Sequence, residues 1–201
     1  KKVSKLVKSW NPKFIITTGD NNYDDGKKET INKNVSEIYG DFIGNYKGKL
    51  FPNSNVYNGK GAGNGFRDNK FFPTIGNHDW GYYISKTKGV KGNVNINAYT
   101  KFFTLPGKGF NNSSNNERYY DFKWLNIHFF ALDSDIHEPD GIDVNSKQAK
   151  WLKKQLKKSK SKFKIIYFHQ HLYGGDQNHD ENENKILRWP FKKWGASIVI
   201  F

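Results

Sequence analysis

The sequence predicts a single α/β domain in which central β-sheets are flanked by helices. Short apolar runs, rich in β-branched and aromatic residues, alternate along the chain with segments of helical periodicity. Two neighbouring runs, at 118–122 and 126–134, show the alternation typical of an antiparallel hairpin. The 201 residues are enough for one hydrophobic core, to which aromatic residues, 16% of the chain, contribute.

The first third of the chain predicts helices and strands in alternation. An i, i+3, i+4, i+7 pattern of apolar residues marks the first helix, which Asn11-Pro12 ends. The residues between the second helix and the second strand are rich in Gly and Asn and lack periodicity, so we expect a long loop. The predicted elements are a helix over 3–10, a strand over 13–18, a helix over 28–43, a loop over 44–70 and a strand over 70–76.

The rest of the chain predicts a hairpin between two helices, followed by two more strands. Asn145, with Gln148 three residues on, is similar to a capping box and predicts the start of a long helix with lysines on its outer side. The predicted elements are a mostly irregular segment over 81–118 with a short helix over 96–103, the hairpin, a helix over 146–158, a strand over 162–169, a loop over 171–187, a helix over 188–194 and a strand over 196–201.

The composition excludes several kinds of site. The absence of Cys removes disulfides, thiolate metal sites and a Cys nucleophile. No run of about 18 apolar residues exists, so we predict no membrane span. The formal net charge of +14 indicates either attraction to polyanions and phosphorylated substrates or a Lys- and Asn-rich bias over solvated faces. We favour the second interpretation, because the lysines are scattered along the chain.

The beginning of the chain predicts that the domain is incomplete. The chain starts at Lys1 and contains no Met, which predicts a processed product or part of a longer protein. A helix that feeds a parallel strand normally follows an earlier strand, as in a βαβ crossover. No strand pattern precedes the helix over 3–10, so we expect the domain to be incomplete and to lack its first strand.

Side chains of metal-binding types follow three of the predicted buried strands. They are Gly19 to Tyr23 (GDNNY), Gly76 to Asp79 (GNHD) and His169 to His171 (HQH). Ligands of open α/β sheets lie beyond the carboxyl ends of the strands, so we expect these groups to meet at one edge. A carboxylate, a carboxamide, a phenol and imidazoles suit iron, manganese or zinc. Two such ions can clamp an in-line displacement at phosphorus.

In these motifs the sequence resembles the calcineurin-like metallophosphoesterases and, within them, the purple acid phosphatase-like group. The family's five motifs run in the order Asp-x-Gly, Gly-Asp-x-x-Tyr, Gly-Asn-His-Asp/Glu, Val-x-x-His and Gly-His-x-His. This chain has GDNNY at 19–23, GNHD at 76–79 and IYFH at 166–169, with Ile in place of Val. The resemblance covers essentially the whole chain and implies one metallophosphoesterase-type α/β sandwich over 1–201.

The resemblance implies a set of metal ligands. Asp20 would bridge two metal ions, and Tyr23 would bind the first of them. Asn77 and His169 would bind the second. The two divalent or trivalent ions would be iron paired with iron, manganese or zinc.

The resemblance also implies residues that act on a small phosphorylated substrate. His78 would contact the phosphate and protonate the leaving group, and Asp79 would tune or orient His78. Asn77 would contact the substrate as well. His171 is either a loop histidine or a substrate contact, and His179 lies in a loop where relatives often place a substrate-contacting His.

The chain departs from the family pattern at both ends and in one loop. The first motif and the final Gly-His-x-His are absent, so the resemblance implies that three expected ligands are missing and that the chain alone is inactive. In many relatives a second His and prolines follow the Val-x-x-His motif. Here Gln170, His171 and Leu172 stand in their place.

The function predicted in this way is the dimetal-dependent hydrolysis of phosphate esters by an acid phosphatase-like phosphomonoesterase. A phosphodiesterase of the same superfamily, a degenerate relative without activity and a non-catalytic basic module that binds polyanions are the alternatives. The chain has no recognised nucleic-acid motif, so we expect no specific nucleic-acid partner. A secreted or periplasmic location is consistent with the resemblance, and the oligomeric state stays open.

Overall fold

The computed structural model describes residues 2–44, 69–85, 89–107, 114–173 and 184–201. Most of the predicted loop over 44–70, part of the predicted loop over 171–187 and the candidate substrate residue His179 lie outside these residues. The described part consists of three β-sheets flanked by helices, so the predicted α/β class is confirmed.

The first two strands form a small parallel sheet. Strands β1 (Ile15–Thr17) and β2 (Phe71–Pro73) pair in register, with Ile16 opposite Phe72. The helical segment between them is not one regular helix, since a π-helical segment, Asn32–Ser36, joins two short α-helices and a 3₁₀ turn, Gly40–Phe42, follows. The elements are α1 (Lys2–Ser9), β1 (Ile15–Thr17), α2 (Lys28–Ile31), α3 (Glu37–Tyr39) and β2 (Phe71–Pro73).

The segment after β2 contains an antiparallel pair that the sequence analysis missed. We expected residues 81–118 to be mostly irregular, but β3 (Tyr82–Ser85) and β4 (Gly89–Gly92) pair antiparallel. The β4 sequence GVKG has a glycine at each end and lacks the β-branched and aromatic content of a typical strand. The predicted short helix follows as α4 (Asn97–Phe102).

A four-stranded sheet forms the larger part of the molecule. Its strand order is β5-β6-β7-β8, antiparallel for the first pair, which is the predicted hairpin, and parallel for the others. The elements are β5 (Tyr120–Trp124), β6 (Ile127–Ala131), α5 (Lys147–Lys158), β7 (Phe163–Tyr167), a 3₁₀ turn (Lys185–Leu187), α6 (Phe191–Trp194) and β8 (Ile198–Ile200).

The two parallel-containing sheets pack face to face. Phe72 of the small sheet stacks on Phe122 of the large one, with ring centroids 3.9 Å apart. The hydroxyl of Tyr120 donates to the carbonyl of Pro73 at 2.7 Å, and that of Tyr167 donates to the carbonyl of Phe72 at 3.2 Å. This sandwich aligns the ends of β1 and β2 with the end of β7.

Helix α5 covers the other face of the large sheet. Trp151, Leu152 and Leu156 are buried in a core with Phe130 and Ile166, as the apolar pattern predicted. The predicted capping box at Asn145 is wrong. Ser146 is the N-cap, and its Oγ accepts from the backbone N–H of Ala149 at 3.1 Å.

Gln148 is not available to a capping box, because its buried amide pairs with the backbone N–H and C=O of Asp133 at 2.9 Å each. The capping pattern placed the N-cap one residue too early, at Asn145 instead of Ser146. The Gln148 side chain serves a tertiary contact with Asp133.

Helix α1 forms where predicted, but its apolar stripe does not pack. Val3, Leu6 and Trp10 are exposed, and Ser4 is the buried residue of the helix. None of the described helices combines the length and the hydropathy needed to cross a bilayer.

Candidate metal centre

The parallel pairing of β1 and β2 brings two motifs side by side. Beyond β1 the backbone turns through left-handed conformations at Gly19 (φ +92°) and Asp20 (φ +54°). The Asp20 carboxylate then lies against the backbone of the other loop, where its Oδ1 accepts from the N–H of His78 at 3.1 Å. A Cβ at Gly76 would clash with this carboxylate, so glycine is needed for the approach.

His169 reaches the same place from the end of β7. Its Nδ1 lies 2.7 Å from the carbonyl oxygen of Thr18, which can only accept a hydrogen bond. Nδ1 therefore carries the ring proton, and Nε2 of the neutral ring presents a lone pair, as in metal-ligating histidines. A Cβ at Gly19 would lie 2.8 Å from the ring, so the second motif again requires a glycine.

Three electron-pair donors converge at this point. Nε2 of His169 lies 3.4 Å from Oδ1 of Asp20 and 3.3 Å from Oδ1 of Asn77. The orientation of the Asn77 amide is set by its Nδ2, which donates to the carbonyl of Tyr82 at 3.2 Å. In the tautomer with the proton on Nδ1, no proton lies between these atoms, and a cation among them would offset the repulsion of their lone pairs. The donor set fits a metal ion on this ground.

The donor set is small. Within the described residues, no group of three or more His, Cys, Asp or Glu side chains is arranged to hold a metal ion. One carboxylate and one imidazole are present here, and the amide oxygen of Asn77 supplies the third donor.

Tyr23 lies beside Asp20. Its hydroxyl donates to Oδ2 of Asp20 at 3.1 Å, and its ring is half exposed. Partial burial, followed by the charge of Asp20 and this hydrogen bond, raises the pKa of Tyr23 to about 12. The phenol therefore stays protonated unless a nearby cation offsets these effects.

His78 is packed between the two motif loops. Its ring lies 4.4 Å from the ring of Tyr23, and its Nδ1 is hydrogen-bonded to the carbonyl of Asp24. Nε2 is 3.9 Å from Oδ2 of Asp20. The imidazole is thus anchored at one nitrogen, and the other faces the converging donors.

Asp79 has different partners from those that we expected. Its carboxylate is 2% exposed and accepts from the backbone N–H groups of Asn21, Asn22 and Gly76 and from the side chain of Asn21, at 3.0–3.1 Å. These hydrogen bonds join the residues just after Asp20 to the residue just before Asn77. Burial raises the pKa of Asp79 to about 6, although the hydrogen bonds from Gly76 and Asn21 oppose the shift.

Comparison with known proteins identifies the family. Residues 1–201 match the family model of the calcineurin-like phosphoesterases. The chain belongs to this family. Its members are phosphoester hydrolases that typically bind two metal ions, so the coarse prediction of function is confirmed. No curated protein matches the chain.

In this calcineurin-like phosphoesterase the predicted site residues divide into two groups. Asp20, Tyr23, Asn77, His78 and His169 lie together at the carboxyl ends of the strands. Of the other predicted residues, Asp79 is buried beneath the two motif loops and His171 is partly buried in the loop after β7. His179 lies outside the described residues.

The structure adds a residue that the sequence analysis did not single out. Asn21 accepts from the hydroxyl of Thr17 at 2.6 Å, and its Nδ2 donates to the carbonyl of Thr74 at 2.8 Å and to Asp79 at 3.0 Å. It therefore ties the ends of β1 and β2 together. Its place inside GDNNY was the available signal, but the motif constrains only the flanking Asp and Tyr.

Two acidic residues, Asp133 and Asp135, accept hydrogen bonds from the segment that follows GNHD. Trp80 Nε1 donates to Asp133 at 3.0 Å, and the hydroxyl of Tyr82 donates to Asp135 at 2.8 Å. The two carboxylates are buried, and burial raises the pKa of Asp133 well above its ordinary value. These contacts connect the loop of Asp133 and Asp135 to the segment that follows GNHD.

Proposed function

We propose that this calcineurin-like phosphoesterase is an acid phosphatase-like phosphomonoesterase of the purple acid phosphatase-like group. The observation that carries the proposal is the convergence of Asp20 Oδ1, Asn77 Oδ1 and His169 Nε2 at the ends of three strands. Each is a donor of a type that binds transition metals. Their position beyond the carboxyl ends of parallel strands is where α/β sheets bind ligands.

Asp20, Asn77 and His169 would hold the metal, with Tyr23 as a further ligand next to Asp20. The oxygen and imidazole donors fit iron paired with iron, manganese or zinc. When bound, the ions neutralise charge on the phosphoryl group and polarise its oxygens. Tyr23 would then act as a phenolate, because a cation offsets the burial and the Asp20 charge that raise its pKa.

His78 would supply the leaving-group proton. Its Nδ1 is already used by the carbonyl of Asp24, so Nε2 is the nitrogen that faces the donors. In the protonated ring, Nε2–H would donate to the ester oxygen. The proton would move to that oxygen as an oxygen from water bonds to phosphorus and the P–O bond to the leaving group breaks. Contact with Tyr23 at 4.4 Å between ring centroids holds the imidazole in this direction.

Asp79 would be a positioning residue. Its hydrogen bonds link Asn21 and Asn22 to Gly76, and so fix the relative placement of the neighbouring Asp20 and Asn77. A ligand pair that comes from two separate loops needs such a link, because small displacements weaken coordination. This role replaces direct tuning of His78.

The test uses the longest reading frame that carries these residues, purified with Mn²⁺, Fe³⁺ or Zn²⁺. We expect hydrolysis of p-nitrophenyl phosphate to exceed that of bis(p-nitrophenyl) phosphate at acidic pH. Asp20→Ala should lose both bound metal, measured by elemental analysis, and activity. Asp41→Ala, which removes an exposed carboxylate paired with Lys8, is the matched control and should keep both.

Three outcomes would contradict the proposal. Full metal content and turnover in Asp20→Ala would mean that the converging donors are not the centre. Faster hydrolysis of the diester would assign the phosphodiesterase alternative. Absence of both activities in metal-loaded protein would favour the degenerate relative.

A further inference from the structure

The turn of the β5–β6 hairpin contains an unfavourable residue. Trp124 and Ile127 are paired, so Leu125 and Asn126 form a two-residue loop. Leu125 has φ +53°, a left-handed conformation that favours Gly, Asn or Asp in such turns, and its side chain is 89% exposed. A bulky apolar residue at this position adds backbone strain and gains no burial within the fold.

Two aromatic side chains flank this turn. The N–H of Phe163, at the start of β7, donates to the carbonyl of Asn126 at 3.3 Å. The ring of Trp124 lies 5.2 Å from that of Phe14, which holds it in place. Both Trp124 and Phe163 are exposed despite their size. Together with Leu125 they form an apolar surface, which we call the hairpin-tip patch.

Lysines adjoin the hairpin-tip patch along the chain. Lys123 and Lys162 directly precede its two aromatic residues, and Nζ of Lys162 lies 5.4 Å from the ring centroid of Phe163. Lys13, which precedes Phe14, and Lys160, two residues before Lys162, are exposed as well. The lysines that form salt bridges among the described residues are others: Lys8, Lys27, Lys28 and Lys147.

The carboxylate nearest to the patch along the hairpin is engaged in a local contact. Oδ2 of Asp121 lies 2.7 Å from Nε2 of His128, whose Nδ1 lies 2.9 Å from the hydroxyl of Ser159 just after α5. This contact holds the carboxylate on the face of the sheet that α5 covers.

The hairpin-tip patch lies at the opposite end of the sheet from the candidate metal centre. It occupies the amino ends of β6 and β7, whereas His169 follows the carboxyl end of β7. The five residues of β7 place these ends roughly 16 Å apart. A partner bound at the patch would leave the metal centre accessible.

We propose that the hairpin-tip patch binds the surface of an anionic lipid bilayer. Leu125, Trp124 and Phe163 would enter the boundary between head groups and acyl chains, and the lysines would contact lipid phosphates. Exposed aromatic and leucine side chains with lysines beside them match the chemistry of such an interface. A nucleic acid would satisfy the lysines but would give a projecting Leu no apolar environment. The proposal does not depend on the phosphatase activity.

The test measures co-flotation with vesicles in the presence of EDTA, so that the metal centre plays no part. We expect the protein to bind vesicles of equal parts phosphatidylglycerol and phosphatidylcholine and not those of phosphatidylcholine alone. Leu125→Asn should bind more weakly but remain folded, because Asn suits the left-handed turn. Lys123→Gln with Lys162→Gln should weaken binding by about fivefold per lysine.

Matched controls separate the patch from the general positive charge. Ile136→Asn changes another highly exposed apolar residue on a different loop, and Lys150→Gln with Lys154→Gln removes two lysines from the exposed side of α5. Both controls should bind as the parent does. Absence of binding to anionic vesicles, equal loss in the controls, or binding to duplex DNA but not to vesicles would overturn the proposal.

Discussion

Nε2 of His169 lies 3.3 Å from Oδ1 of Asn77, and in the tautomer with the proton on Nδ1 both atoms present lone pairs to each other. The remaining polar atom of each side chain is already committed, Nδ1 of His169 to Thr18 and Nδ2 of Asn77 to Tyr82. Neither side chain can relieve the repulsion by rotating without breaking a hydrogen bond. We therefore expect a cation bound between Nε2 of His169 and Oδ1 of Asn77 to stabilise the folded protein.

A divalent cation should therefore stabilise the folded protein through His169. At a Mn²⁺ concentration of about 100 times its dissociation constant, linkage predicts roughly 2.7 kcal/mol, equivalent to an increase of about 5–10 °C in Tm for a chain of this size. His169→Ala should reduce the increase to near zero. His137→Ala, on a separate loop, is the control, and an unchanged increase in His169→Ala would contradict the assignment. Differential scanning calorimetry with and without EDTA makes the measurement.

Tyr23 should give iron-loaded protein a visible absorption band. Its phenol is held 3.1 Å from Asp20 and remains protonated without a cation. Ferric iron would remove the proton and produce charge transfer from the phenolate. Tyr23→Phe should abolish the band with little change in bound iron, whereas Tyr173→Phe, at an exposed position, should keep it. A band that persists in Tyr23→Phe would exclude Tyr23 as a ligand.

Asp79→Asn should lower both stability and metal affinity. The substitution places an amide N–H against backbone donors and leaves at least one of them without an acceptor in a buried site. We expect a loss of about 3 kcal/mol in the free energy of unfolding, measured with urea. Metal titration should show weaker binding under conditions in which the variant is fully folded.

The metal titration of folded Asp79→Asn distinguishes two roles of Asp79, a link between the loops and an interaction with His78. If Asp79→Asn binds metal as tightly as the parent and only His78-dependent turnover falls, Asp79 would act on His78 and not as a link between loops. Asp143→Asn, an exposed carboxylate on another loop, provides the matched control for the loss of one charge.

Asp140 should make stability depend on pH in the acid range. Burial alone would raise its pKa, but hydrogen bonds from Lys147 and Tyr119 and the charges of Lys147 and Arg118 outweigh it and lower the pKa. A lowered folded-state pKa stabilises the protein above the unfolded pKa of about 3.9, and this contribution is lost as pH falls through the folded value.

Urea unfolding between about pH 2 and pH 6 tests this contribution. Asp140→Asn should be less stable than the parent at pH 6, and the difference should shrink towards the acid end. Asp41→Asn, which alters an exposed ion pair, should show a smaller difference. A constant difference at every pH would mean that Asp140 acts through packing and not through its charge.

The sequence by itself determined the fold class and predicted most of the residues that meet at the candidate site. Period-two and period-3.6 patterns are local, so the hairpin, the long helix and the strands before Asp20, Asn77 and His169 were predictable within a few residues. The family motifs then indicated which polar side chains belong together.

Only the tertiary structure decided how those side chains are used. Asp79 bonds to residues 57 and 58 positions away, Gln148 to Asp133, and His169 to Thr18 at a separation of 151 positions. Ser146 caps α5, Gln148 is engaged elsewhere, and Val3, Leu6 and Trp10 of the α1 stripe are exposed. Hydrogen-bond partners and burial depend on segments that the fold brings together, and no local periodicity records which segments these are.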